Sequence, residues 1–181
     1  MTLCEIIMAA LQQLRRGIDS QTFDVYRGAF TQYANIAQQD LAKAFAQYRT
    51  DTIRLQGGEF SIDSLPRLCV KLLHISRNGK SVAFEGGEQT GMIRADAAGD
   101  VAVRYRFLPK PLSNATDRPE LPNQLHQCIV SYVVAAERSA GDASTQGGAS
   151  IYFQFYNEQK RRLTRADMGL LECYRIENML Y

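Results

Sequence analysis

Apolar residues in the first fifty positions recur at steps of three and four. Leu3, Ile6, Ile7, Ala10, Leu11 and Leu14 share one side of a helical projection. Thr2 and Glu5 have capping-box spacing, in which hydroxyl and carboxylate each satisfy a free backbone N–H, so a helix is expected to start there and to stop at Gly17. A second helix is expected from Asp19 or Ser20. Its stripe is Phe23, Tyr26, Phe30, Tyr33, Ala37, Leu41, Ala44/Phe45 and Tyr48, with Arg27, Gln38, Gln39 and Lys43 facing away. At about 1.5 Å per residue it would be roughly 40 Å long, more than a compact domain of this size requires.

The period changes near Asp51. Ile53 and Leu55 alternate, Gly57-Gly58 turns the chain, and Phe60 and Ile62 alternate again. Leu68 to Ser76 is a β run. Asn78-Gly79 then supplies the pair a type I′ hairpin needs, because both central residues take positive φ. Val82 and Phe84 are expected on one face of the return strand. Thr90 to Ala95 and Val101 to Phe107, joined through Ala98-Gly99-Asp100, read as a further hairpin; Val101, Val103, Tyr105 and Phe107 alternate with Ala102, Arg104 and Arg106.

Pro109, Pro111, Pro119 and Pro122 punctuate a polar connector, after which helical spacing returns over Asn123 to Ala140 and from about Ser144 to Leu163. The order helix, sheet, helix predicts an α+β fold. N- and C-terminal helices form a bundle (1–50 and 109–165), a small antiparallel β-sheet or sandwich is inserted (51–108), and an apolar tail follows (166–181).

Composition narrows the function. Twenty-one basic against nineteen acidic residues leave a net charge of +2, low for a protein that lives by non-specific DNA affinity. The longest uncharged apolar run, Cys128 to Ala136, stops after nine residues, short of a membrane span. The opening Met1-Thr2-Leu3-Cys4-Glu5 lacks the basic region of a signal peptide, so none is expected. The four cysteines have no paired spacing, which fits unpaired thiols in a reducing compartment. Cys69, His74, His126 and Cys128 have the right chemistry for zinc, but His126 and Cys128 stand two apart on a helix and point to nearly opposite sides. No acid–base pair, nucleophile motif or phosphate-cradling glycine loop can be named; the Gly-Gly pairs suffice as turns. The expectation is a protein that is not an enzyme and takes no metal or cofactor.

Two features exceed what one small core needs. Ile151, Tyr152, Phe153, Phe155 and Tyr156 spread over an arc of roughly 200° at about 100° per residue, which predicts a subunit interface through Tyr152, Phe153, Phe155 and Tyr156. The basic run Lys160, Arg161, Arg162 and Arg165 precedes a tail carrying Leu170, Leu171, Tyr174, Ile176 and Tyr181, too apolar to hang free. The arc is expected to meet a partner subunit rather than a thick local core. The tail is expected to dock within the protomer or outside it, and the basic run either to complement the helix end or to contact an acidic partner surface or DNA.

Three stretches carry a family resemblance. The first is Arg27-Gly28-Ala29-Phe30-Thr31-Gln32-Tyr33-Ala34-Asn35 with Asp40-Leu41-Ala42. The second runs from Tyr105-Arg106-Phe107-Leu108-Pro109 through Leu112-Ser113, Thr116-Asp117 and Pro119-Glu120-Leu121-Pro122 to His126, Ile129-Val130 and Tyr132-Val133-Val134-Ala135. The third is Lys160-Arg161-Arg162-Leu163 with Glu172-Cys173-Tyr174-Arg175-Ile176. In order and extent they resemble the head-to-tail connector (adaptor) proteins of tailed bacteriophages. The resemblance implies a homo-oligomeric ring, usually of twelve copies, in the neck of the virion and assembled in the host cytoplasm. The ring would sit between the portal protein and a downstream stopper or tail protein, with double-stranded DNA passing through the lumen without sequence-specific binding. It assigns Lys160 to Arg165 and Met168 to Tyr181 to portal docking. The competing expectations are another neck or tail assembly part, such as a stopper or completion protein, and a small ligand-binding module with a pocket in the β insertion.

Overall fold

The Thr2–Glu5 box forms: Glu5 N–H donates to Thr2 Oγ1 at 3.2 Å and Thr2 N–H to Glu5 Oε2 at 3.0 Å. It starts helix α1, Leu3–Gln13. The computed structural model describes residues 1–45, 47–55, 57–86, 91–141 and 149–163. Helix α1 ends before Gly17, with Leu14 as its cap and Arg15 in the left-handed region at φ 54. Gly17 instead makes room for the next cap. A Cβ there would lie 2.6 Å from an Asp19 carboxylate oxygen, and Asp19 Oδ1 accepts from Thr22 N–H at 2.9 Å to start helix α2, Ser20–Ala44. Helix α2 is 25 residues long, about 37 Å. It ends before Tyr48, which belongs to a strand.

The chain divides into two compact units, Met1–Phe45 with Lys110–Tyr181, and Ala46–Pro109. The first junction precedes Asp51 because the first strand already begins at Tyr48. In the helical unit α1 and α2 pack with α3, His126–Ala140, which continues from a short 3-10 turn at Asn123–Leu125. A further helix, α4, covers 149–163; residues 142–148, including the expected start at Ser144, lie outside the described set. Ile6, Ile7, Phe30, Leu41, Ile129 and Val133 are among the buried side chains of one core shared by α1, α2 and α3, and Tyr156 joins it from α4.

One expectation for α2 fails. Gln38 does not face away: it is fully buried. Its Nε2 donates to Lys110 O at 3.0 Å and its Oε1 accepts from Glu120 N–H at 3.2 Å. One turn earlier Asn35 donates to Leu112 O at 3.0 Å and accepts from Leu112 N–H at 2.7 Å. The proline-punctuated connector is therefore bound to α2 through its backbone. It also accepts from the start of α1, Leu3 N–H to Asp117 O at 2.8 Å and Cys4 N–H to Ala115 O at 2.9 Å. Hydrogen bonds from the Asn114 and Ser113 backbone hold the Asp117 carboxyl down at about 2.

The β unit is all antiparallel. Strands β1 (Tyr48–Leu55), β7 (Gly99–Phe107), β3 (Cys69–Arg77) and β4 (Lys80–Val82) form one sheet in that order; β2 (Glu59–Ser61), β6 (Met92–Ala95) and β5 (Phe84–Gly86) form a second. Both sheets contribute to a common core that includes Phe60, Ile75, Ile93, Val103 and Tyr105. The Asn78-Gly79 turn has φ 50 and φ 77, as a type I′ hairpin requires. Two pairings depart from expectation. The return strand breaks at Ala83, so Phe84 leaves Val82 and pairs with Ala95 in the second sheet. The strand ending at Ala95 does not pair with Val101 to Phe107; β6 pairs with β2 and β5, whereas β7 pairs with β1 and β3. Thr90 lies outside the described residues, and Ile62 begins a 3-10 turn rather than extending a strand.

Candidate partner-binding surfaces

The aromatic arc of α4 is divided between the protomer and its surface. Tyr156 is buried and donates from its phenol to Asp40 Oδ2 at 2.5 Å; Lys160 Nζ donates to the same oxygen at 2.7 Å. Burial raises the Asp40 carboxyl, but the hydrogen bonds from Lys160 and Tyr156 and the lysine charge outweigh it and hold it below the usual carboxylate range. Burial, with the Asp40 hydrogen bond and charge behind it, pushes the Tyr156 phenol far above its ordinary value. Tyr132 of α3 meets Tyr156 and Phe153 edge-on, at ring separations of 5.1 and 5.7 Å, and Arg138 lies 4.6 Å over Tyr152.

The expected interface set is corrected accordingly. Tyr156 belongs to the protomer's own core because its phenol finds an acceptor there, and Tyr152 and Phe153 are half-buried beside it. Phe155 remains outside at 54% exposure, joined by Ile151 at 51%. Of the basic run, Lys160 is engaged by Asp40, Arg162 pairs with Glu158 one turn back, and Arg161 is exposed. Arg165, Leu170, Leu171, Tyr174, Ile176 and Tyr181 lie outside the described residues.

A second exposed face runs along α2. Val25 is 72% exposed and Ile36 51%, with Gly28 and Gln32 between them at helical steps and also exposed. No charged residue occurs from Gly28 through Gln39. The expected stripe missed this face, since its apolar members are only two and stand among small and amide residues.

The β unit has two unlike faces on its larger sheet. Inside, Tyr105 donates to Asp51 at 2.6 Å and Arg49 bridges Asp51 at 2.6 Å; burial, then the Asp51 hydrogen bond, push the Tyr105 phenol up to about 12. Outside, the register places Tyr48, Arg106 and Lys71 in one cross-strand row and Thr50, Arg104 and His74 in the next. All six are exposed. The alternation of Arg104 and Arg106 with buried residues is visible in the sequence; their alignment with Lys71 and His74 is not.

Among the described residues no three His, Cys, Asp or Glu side chains come together as a metal site, and no helix is long and apolar enough to cross a membrane. Cys69 and His74 stand on opposite faces of their sheet, and His74 meets Ser81 at 3.1 Å. Burial raises the thiol of Cys128. The folded chain is thus an α+β protein of a helical unit interrupted by a two-sheet β unit. No protein-family model matches it, and comparison with curated proteins gives no match either.

Proposed function

We propose that this chain is a structural subunit of a bacteriophage neck. In this reading it forms an adaptor ring that joins the portal vertex to the tail and lets double-stranded DNA pass through the lumen. The residue resemblance supports it, and one observation carries it on physical grounds. The helical unit exposes apolar side chains on two different helices, Val25 and Ile36 on α2, Ile151 and Phe155 on α4. A cyclic assembly needs two unlike faces per protomer, each fitting the other on its neighbour. Burying what these four side chains leave exposed is worth about 3–7 kcal/mol, less than or comparable to the cost of association. A ring held this way forms best on a template, where many weak contacts act at once. The portal is that template, and the segment from Met168 to Tyr181 is the portal-docking element.

Electron microscopy of the protein mixed with portal particles tests the reading. The expected result is ring density of about twelve subunits, the count implied by the resemblance, at the portal vertex. Phe155→Glu keeps the circular dichroism and melting temperature of the parent and abolishes the ring. Deleting residues 168–181 leaves a folded protomer that no longer co-sediments with portals. A chain that stays monomeric in the presence of portals refutes the proposal.

A further inference from the structure

The outer face of the β1-β7-β3-β4 sheet carries an excess of positive charge. Arg54, Lys71, Arg104 and Arg106 are all exposed there, with His74 among them. Among the described residues, none of the four pairs with an acidic side chain. Among the described residues, the acids of the β unit other than Asp100 are placed elsewhere, Asp96 in the bend that follows β6. Asp51 is on the inner face with Arg49, and Glu59 and Glu85 flank Arg94 on the second sheet. Asp63 lies in a 3-10 turn. Asp100, opposite Arg54, is the one acid in register with this face. At the other end Lys71 and Arg106 are direct cross-strand partners, as are His74 and Arg104. Like charges set opposite one another destabilise a sheet, so the Lys71–Arg106 pair costs the fold stability and is relieved by a negative ligand.

We infer that this face binds the phosphate backbone of double-stranded DNA without regard to sequence. Successive outward residues on β7 stand about 6.8 Å apart and neighbouring strands about 4.8 Å, which gives a grid of cations suited to a row of phosphates. Unpaired bases would need free aromatic rings to stack on. Tyr48 is the aromatic of this face, and the Arg104 guanidinium covers its ring at 3.9 Å. An acidic protein would call for an apolar centre with charges at the rim; the middle row of this face is Thr50, Arg104 and His74, and the exposed apolar residues of β3, Val70 and Leu73, fall at its two irregularities. The inference concerns the β unit and holds equally for a free protomer, so it stands apart from the ring proposal.

The test is fluorescence anisotropy of the full chain with a short mixed-sequence duplex. With four phosphates neutralised, affinity falls about 150-fold between about 50 and 200 mM salt. Arg104→Gln with Arg106→Gln reduces that loss to about 12-fold, two contacts fewer. The paired lysine substitutions at the same positions keep the parental salt dependence. Arg94→Gln, which removes one charge from the second sheet, leaves it unchanged. Equal melting temperatures across the set show that the face, not the fold, was altered. Salt-independent binding or none, a parental salt dependence in the double Gln variant, tighter binding to single strands, or stronger competition by polyglutamate than by duplex each overturns the inference.

Discussion

Replacing Gln38 by methionine isolates what holds the connector in place. The two side chains have the same unbranched length, so the core of α2 stays filled while both hydrogen bonds to the connector disappear, Nε2–H to Lys110 O and Glu120 N–H to Oε1. A protein hydrogen bond contributes about 1 kcal/mol net, and a buried group that loses its partner costs about 1–3 kcal/mol. Lys110 is exposed and its carbonyl turns to water, whereas Glu120 is half-buried and recovers less. The sum is about 2–4 kcal/mol. Urea unfolding of Gln38→Met measures it, and amide exchange at Glu120 and Leu112 separates loosening of the whole connector from loss at one end. Gln38→Glu adds a sign. It keeps the acceptor for Glu120 but aims a carboxylate oxygen at the Lys110 carbonyl, so its deficit is largest at neutral pH and shrinks once the carboxyl is protonated and can donate. A Gln38→Met variant within about 0.5 kcal/mol of the parent, with unchanged exchange at Glu120, refutes the reasoning.

Two further predictions follow from the hydrogen-bond geometry and the turn. Asp40 titrates lower in the fold than in the open chain, so its contribution is complete above the unfolded carboxyl value and is lost as pH falls through the folded one. Tyr156 is raised, so its contribution is complete below the unfolded phenol value and is lost as pH rises through the folded one. Thermal melts against pH therefore show a flatter acid limb for Asp40→Asn and a flatter alkaline limb for Tyr156→Phe. Gly79→Ala meets no atom within 4 Å and pays only for φ +77, about 1–2 kcal/mol by chemical denaturation, with the register of β3 and β4 retained.

Local chemistry was readable wherever a few adjacent residues decide the outcome. The Thr2–Glu5 box, the Asp19 cap, the Asn78-Gly79 turn and the alternation along Val101 to Phe107 all depend on spacings of four residues or fewer. The sheet order does not. Tyr48 pairs with Arg106 and Ile53 with Val101, partners about fifty positions apart that no local pattern selects. The irregularities in β3 between Cys69 and Lys71 and between Leu72 and His74 shift which residues face outward, and so hide the row that joins Lys71 to Arg106. Tyr48 fitted a helical stripe because an aromatic side chain suits a helix and a strand alike. The side-chain pattern places Gln38 outward because a polar residue on a helix usually faces water; its partners are backbone groups seventy residues away or more, which that pattern cannot show. The α4 arc was visible as surplus apolar surface, but its division between core and exterior depends on Tyr132 and Asp40, on two other helices.

The pairing of β1 with β7 has a consequence for how such a chain can change. Tyr48 sits opposite Arg106, and Phe107 N–H reaches back to Gln47 O at 3.4 Å, so the strands that open and close the insertion run side by side and leave it within about 5.5 Å of each other. An insert whose two ends emerge together can be shortened, enlarged or exchanged while the stretches before Phe45 and after Lys110 keep their sequence. Splicing those two positions through a brief glycine-containing turn would leave the helical unit without its insertion, and the same junction would accept a β module of different origin.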